Sequence, residues 1–117
     1  MSEDLILHSA LDSMAVDFGE LTPHLGDDDD WDRRIDRLRE ILDRRIREML
    51  LSSAKRSCLL GILYRIDVAE FRAKEALAAP RIENQSAQLA RLIIDRQLEK
   101  ARTRLRFQPP PDDAPQG

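Results

Sequence analysis

The order of apolar and polar positions along the chain predicts amphipathic helices. In residues 3–21, apolar side chains recur at steps of four, three, four and three residues, which places them on one narrow face of a helix. Gly19 is a stop signal near the end of this range, because glycine is favoured just after the last turn of a helix. A thin apolar stripe of this kind needs a partner surface, either in the body of this chain or on another chain. The stripe consists of Leu7, Leu11, Met14, Phe18 and Leu21.

A second apolar face predicts a helix over residues 31–51, directly after a run of four aspartates. Asp29 or Asp30 is expected at the N-cap, because its carboxylate accepts a backbone N–H that the first turn leaves unpaired. A calcium loop counted from Asp27 would need a ligand at its twelfth position, where the chain has Leu38. We therefore predict the start of a helix rather than a metal site. The apolar face comprises Trp31, Ile35, Leu38, Leu42, Ile46 and Met49.

Residues 53–66 form the most apolar segment of the chain. Apolar residues cover most of the circumference of the predicted helix, which is typical of a central, buried helix. Gly61 in its middle is expected to permit close approach of another helix, and Cys58 is expected to be buried and unreactive. The sequence leaves open whether this helix continues from the preceding one or begins anew at Ser52 or Ser53.

Two further helices complete the predicted set. The tetrapeptide that starts at Asp67 has the pattern of a capping box, with Asp67 as the N-cap and Glu70 three residues later. The helix that follows is expected to end before Pro80, because proline cannot continue the hydrogen-bond ladder. A last, long helix is predicted over residues 86–106, with a broad apolar face on one side and charged residues on the other.

These elements predict an all-α protein, a small bundle of four to five helices with a disordered, Pro-rich C-terminal tail. We expect an acidic N-terminal helix and linker in residues 1–30, a helical bundle domain in residues 31–107 and the tail in residues 108–117. The length of 117 residues suits one domain, and a hydrophobic content of 42% supplies a modest core.

Cysteine content and the length of the apolar runs indicate a compartment. The chain has one cysteine, so no disulfide can form within it, which suits a reducing environment. Its first residues lack the basic region of a secretory signal. The longest apolar run has seven residues, whereas a membrane span requires roughly twenty. We therefore expect a cytoplasmic protein without membrane contact.

Charge is divided unevenly along the chain. Residues 1–32 carry ten acidic residues and no Lys or Arg, whereas residues 33–117 have a net charge of +7, for a total of −3. The predicted last helix is basic, with six basic and two acidic residues. The acidic segment either folds back onto the basic body or binds a basic partner. The predicted interaction surface consists of Arg91, Arg96, Lys100, Arg102, Arg104, Arg106, Asp27, Asp28, Asp29 and Trp31.

The residue pattern argues against an enzyme, a metal site or a bound cofactor. Nucleophilic catalysis needs a nucleophile beside a base, but Cys58 lies in an apolar run, and His8 and His24 lie in the acidic N-terminal segment. The Cys and His residues do not have the spacing of a zinc site. The glycines are scattered and form no phosphate-binding loop. We therefore expect no catalytic residues, no metal and no cofactor.

The function that fits these features best is that of a small, non-catalytic interaction or adaptor protein of unknown pathway. The helices predicted over residues 31–51 and 86–106 have apolar faces longer than one compact monomer needs. We therefore expect a homodimer that completes the bundle, and a further protein partner is compatible with the same features. The N-terminal helix could instead cover these faces within the chain. In either arrangement, deletion of residues 1–30 should expose apolar or basic surface.

The alternative function is that of a nucleic-acid-binding regulator. The basic last helix would contact phosphates with strong salt dependence, and the acidic N-terminal segment would mask it. Two features weigh against this alternative. The net charge is negative, and aromatic residues make up only 4% of the chain, too few to stack many bases.

Overall fold

The computed structural model describes residues 3–22, 25 and 30–107. Within these residues it contains five α-helices and no β-strand, so the predicted all-α bundle is confirmed. The predicted disorder of residues 108–117 lies outside the described residues, as does any contact of Asp27, Asp28 and Asp29. The helices are α1 (Glu3–Phe18), α2 (Trp31–Leu50), α3 (Ser53–Arg65), α4 (Glu70–Leu77) and α5 (Ile82–Phe107).

The longest helix, α5, forms the centre of the bundle and packs against α1, α2 and α4. Its buried side includes Ala90, Ile93 and Ile94, whose compact side chains pack closely against several neighbours at once. By contrast, α3 packs mainly against α2, at the edge of the bundle. The prediction that residues 53–66 form the central, buried helix is therefore wrong.

Only part of the circumference of α3 contributes to the core. Leu59 and Leu63 are buried, but Leu60 is 47% exposed and Tyr64 is 88% exposed. The hydrophobic period of a helix shows which residues would favour burial. It does not show how many neighbouring helices the fold supplies. Because α5 occupies the centre, the outer side of α3 is left at the surface.

The N-terminal helix α1 packs within the chain on α5 and α2. Leu7, Leu11 and Met14 are buried and belong to the same apolar core as the other helices. Gly19, with a φ of 79°, ends the helix as predicted, and its N–H donates to the carbonyl of Ala15 at 3.0 Å. The N-terminal stripe therefore packs on the body of this chain, which is one of the two partner surfaces that the sequence allowed. The predicted domain boundary after the linker stays a prediction.

The start of α2 confirms the predicted cap. Asp30 lies at the N-cap, and its side chain accepts hydrogen bonds from the N–H of Asp32 at 2.9 Å and of Arg33 at 3.5 Å. A break separates α2 from α3, so the region that the sequence left open contains two helices. Ser52 begins the second of them, because its hydroxyl accepts the N–H of Lys55 at 3.4 Å.

The predicted capping box at Asp67 is wrong, because this residue ends α3 and does not start α4. Asp67 has a positive φ of 66°. Its N–H donates to the carbonyl of Tyr64, and the N–H of Val68 donates to the carbonyl of Leu63, both at 3.1 Å. This pair of bonds is a Schellman motif, which closes the C-terminus of a helix. The N-cap of α4 is Ala69, so α4 begins later than predicted.

The start of α5 also differs from the prediction, since the helix begins at Ile82 and not at Ser86. Serine is a favoured N-cap residue, but Ser86 is fully buried in the second turn. Its hydroxyl donates to Asp43 of α2, so a contact between helices determines its position. The side chain of Gln85 donates to the carbonyl of Ala79 at 2.8 Å and closes the turn before α5.

Candidate functional site

The six basic residues that were predicted to form one interaction surface lie on two sides of α5. Arg91, Arg102 and Arg106 are exposed on its outer side. Asp95 and Glu99 are exposed among them at helical spacing. The outer side of α5 therefore carries both signs of charge, whereas a nucleic-acid-binding face is expected to be consistently positive.

The other three basic residues lie at the edges of the buried side of α5. The guanidinium of Arg96 lies 3.2 Å from the carboxylate of Asp67, which ends α3. Arg104 donates to the hydroxyl of Ser9 in α1 at 2.8 Å. Lys100, one turn from each, is half-buried. Arg96 and Arg104 thus hold helices of the bundle together, and the predicted basic surface is not one continuous patch.

Trp31 is half-buried at the start of α2 and lines a polar groove together with Arg102 of α5. Of the predicted interaction residues, the structure brings these two together. Three acidic and two basic side chains line the groove, so it offers no consistent charge to a ligand. These charged residues are Asp32, Asp95, Glu99, Arg39 and Arg102.

Arginines from α2, α3 and α5 hold the acidic helix α1 against the body of the protein. Arg34 Nη1 lies 2.7 Å from Asp4 Oδ1 near the start of α1. Near its end, Arg65 of α3 pairs with Asp17, and Arg45 of α2 donates to backbone carbonyls at its C-terminus. In α1, therefore, the acidic N-terminal segment folds back onto the basic body, which is one of the two arrangements that the charge division allowed.

An exposed apolar feature of the described chain was not predicted from the sequence. An apolar groove of about 250 Å³ runs between α3 and α4. Leu60 and Tyr64 form its outer α3 side. An ion pair between Glu70 and Lys74, with 3.1 Å between Oε1 and Nζ, borders it on α4. The remaining lining residues are Leu63, Val68, Ala73 and Leu77.

The outer face of α3 beside this groove is uncharged along its centre, with Arg56 and Arg65 exposed at its two edges. Ser53, Ser57, Leu60, Gly61 and Tyr64 follow one another at helical spacing, and all of them are exposed. This face is unusual in a chain in which 35% of the residues are charged. Contiguous exposed apolar surface in a folded protein marks interaction sites. We refer to the groove and this face together as the α3–α4 surface.

Gly61 and Cys58 both lie on the exposed part of α3, so the prediction of a buried thiol is wrong, and no other helix of the described chain approaches Gly61 as the sequence led us to expect. Beyond its own helix, no described atom lies within 4 Å of a Cβ built at Gly61. Glycine inside a helix costs about 1 kcal/mol relative to alanine, and packing within the described chain does not explain that cost. A helix that is apolar around most of its circumference is equally compatible with burial against another molecule, and this was the signal available in the sequence.

A polar cluster of Asp43, Arg47 and Ser86 links α2 to α5, with 3.2 Å between Asp43 Oδ1 and Arg47 Nη2. Because Ser86 is fully buried, its hydroxyl is not accessible to a substrate. Among the described residues, no three His, Cys, Asp or Glu side chains are placed to hold a metal ion. No helix in the described part of the chain is both long and apolar enough to cross a membrane.

Comparisons with family models, with curated proteins and with solved structures find no match to this chain. The chain's own geometry therefore has to indicate the functional site. By that criterion the α3–α4 surface is the strongest candidate, since it combines an exposed groove, a helix face with an uncharged centre and a glycine that the core does not require.

Proposed function

We propose that the chain is a non-catalytic helical interaction protein that binds other protein surfaces through the α3–α4 surface. The observation that carries this proposal is the exposed apolar groove beside a helix face whose centre is uncharged. A partner that covers this surface removes apolar area from water, which contributes about 25 cal/mol per Å². In the isolated monomer the same apolar area stays in contact with water, which is unfavourable. Binding is therefore favoured without any change in the fold.

Tyr64 and Leu60 are suited to anchor a partner. Tyr64 is large and mostly exposed, and tyrosine is among the residues most enriched at the energetic centres of interfaces. Leu60 lies one turn earlier on the same face and at the edge of the groove. The ion pair of Glu70 and Lys74 provides the polar rim that is typical of interfaces. This arrangement fits a partner helix that inserts apolar side chains into the groove.

The exposed thiol of Cys58 supports the cytoplasmic location that we propose. Glutathione and thioredoxin keep such thiols reduced in the cytoplasm. In an oxidising compartment, an exposed unpaired cysteine would be available for pairing between chains.

Site-specific photo-crosslinking in the cells that produce the protein tests this function. The variant Tyr64→benzoylphenylalanine places a photoreactive aromatic group on the α3–α4 surface. The matched control, Arg37→benzoylphenylalanine, places the same group on the exposed outer side of α2, which is rich in charged residues. We expect discrete covalent adducts with protein from position 64 and markedly weaker labelling from position 37.

Equal labelling from both positions would contradict the proposal, because it would indicate random collisions rather than a docking surface. Absence of protein adducts from position 64 would contradict it as well. Mass spectrometry of the adduct identifies the partner, and therefore distinguishes a second copy of this chain from a different protein.

A further inference from the structure

We propose that the occupant of the α3–α4 surface is a second copy of the chain, with the two α3 helices packed antiparallel across a two-fold axis near Cys58. This inference rests on the proposed function, since it names the partner of the same surface. Closed two-fold dimers are the commonest assemblies of soluble proteins, and their interfaces use one self-complementary patch twice. The outer face of α3 has this self-complementary character in side-chain size.

Side-chain size changes along the outer face of α3. The N-terminal half presents Ser53 and Ser57, and the C-terminal half presents Leu60 and Tyr64, all exposed. In an antiparallel pair, the large residues of each copy lie over the small residues of the other. Gly61, which has open space above it, lets the two backbones approach closely at the middle of the contact. A parallel pair would place large residues over large residues and separate the helices.

Charge along the α3–α4 hairpin favours the same orientation. Lys55 and Arg56 lie in the first turn of α3, and residues 52–66 contain no acidic residue. Asp67 and Glu70 follow the C-terminus of α3, and both are mostly exposed, although they also pair within the chain with Arg96 and Lys74. An antiparallel pair brings Lys55 and Arg56 of each copy towards Asp67 and Glu70 of the other, whereas a parallel pair would bring Lys55 and Arg56 of the two copies together.

The size of the surface sets the expected strength of this dimer. A 13-residue helix is about 20 Å long, and two adjacent helices are roughly 20 Å wide, which gives on the order of 400 Å² for each copy. A stable interface buries about 800 Å² on each partner. We therefore infer reversible self-association that depends on protein concentration, rather than a permanent dimer.

Cross-linking through the native thiol of Cys58 tests the geometry. An axis near Cys58 places the two thiols of the dimer close together at one edge of the contact, within reach of the short reagent bismaleimidoethane. We expect a covalent dimer in the full chain, with a yield that rises with protein concentration. Cys58→Ser removes the only cysteine and is expected to give no product, which shows that the product forms through this thiol.

Substitutions on exposed positions test the surface without disturbing the core. Tyr64→Arg places a charge in the contact and is expected to lower the cross-linking yield roughly tenfold, as a loss of about 1.4 kcal/mol of binding free energy would. The matched control is Phe107→Arg, because Phe107 is 75% exposed at the far end of α5. It should leave the yield unchanged. Arg56→Glu is expected to lower the yield, and Arg56→Glu combined with Glu70→Arg to restore it.

Several results would overturn the second-copy assignment. It is wrong if the thiols do not cross-link at any concentration, or if Tyr64→Arg and Phe107→Arg have equal effects on the yield. If Tyr64→benzoylphenylalanine then labels a different protein, the proposed interaction function still holds and only the identity of the partner is wrong. If that variant labels no protein, the proposed function fails together with this inference.

Discussion

Asp67 occupies a left-handed backbone conformation, which costs a non-glycine residue roughly 1–2 kcal/mol. Its carboxylate lies 3.2 Å from the guanidinium of Arg96, a residue of α5 that is 29 positions away in sequence. Because the Asp67 side chain is mostly exposed, this ion pair contributes at most about 1 kcal/mol. The residue therefore stays in this conformation mainly because the Schellman motif requires it.

A pair of substitutions at Asp67 tests this role. Asp67→Gly and Asp67→Thr both lose the contact with Arg96, so their difference isolates the backbone conformation. We expect Asp67→Gly to have the higher free energy of unfolding, by about 1–2 kcal/mol, because only glycine adopts a positive φ without strain. Urea denaturation measures the difference. Threonine is as good an N-cap as glycine, so equal stability of the two variants would show that Asp67 is a helix start after all.

Gly61 offers a second prediction for a single residue. Gly61→Ala should raise the free energy of unfolding by about 0.5–1 kcal/mol, because alanine is the better helix former and the new methyl group enters open space. Urea denaturation of dilute protein, where monomer predominates, checks this value. A lower stability of Gly61→Ala would mean that the backbone at this position is already in close contact with another part of the chain.

Comparison of Asp30 with Asp67 shows how far the sequence determines single residues. Asp30 caps α2 through hydrogen bonds to Asp32 and Arg33, which are its near neighbours, so the local pattern sufficed to predict the cap. At Asp67 the local pattern fits a capping box equally well. The outcome there depends on where α3 ends and on a contact with α5, and neither is contained in four consecutive residues.

Among the helices, α1 is the one whose attachment was least certain from the sequence. Its apolar stripe was correctly identified, but a stripe does not name the surface that it packs on. The structure shows that Leu7, Leu11 and Met14 are buried in the common core, and that arginines from three other helices contact α1. We therefore expect α1 to unfold together with the rest of the bundle and not as a separate unit.

Truncation of a buried residue in α1 tests this cooperativity. Leu11 is 2% exposed, so Leu11→Ala should lower the free energy of unfolding by about 2–5 kcal/mol, in a single transition of the whole protein. The matched control, Val16→Ala on the exposed side of the same helix, should change it by less than about 0.5 kcal/mol. Equal effects of the two variants, or a separate early transition, would show that α1 is only loosely docked.

The helices α2 and α3 illustrate what hydrophobic periodicity can and cannot predict. For α2 the period gave both the helix and its buried face, because charged residues cover the other side and leave one possible orientation. For α3 the residues are apolar around most of the circumference, so the period indicates a helix without indicating which side is covered. The α3–α4 surface was missed for this reason, since Leu60 and Leu63, which line it, belong to the helix that was predicted to be central and buried.

At the scale of the whole molecule, part of the charge difference between the N-terminal segment and the body is compensated within the chain. Acidic and polar groups of α1 contact arginines of the body, and the outer side of α5 mixes both signs of charge. The α3–α4 surface takes no part in these contacts, and we propose it as the docking surface. The contacts also give the nucleic-acid alternative less support than the sequence did, because the six basic residues of α5 do not face one direction.

Light scattering on a sizing column tests most directly whether the protein associates through the α3–α4 surface. Elution volume alone would mislead, since the molecule measures 53 × 32 × 21 Å and elutes earlier than a sphere of equal mass. Absorbance at 260 and 280 nm, recorded together, would reveal retained nucleic acid. We predict that the mass rises from 13.5 kDa towards twice that value with increasing concentration, at a protein-like absorbance ratio, and that Tyr64→Arg stays at 13.5 kDa. A mass of 13.5 kDa for the unmodified chain at every concentration, or equal association of Tyr64→Arg, would contradict the account.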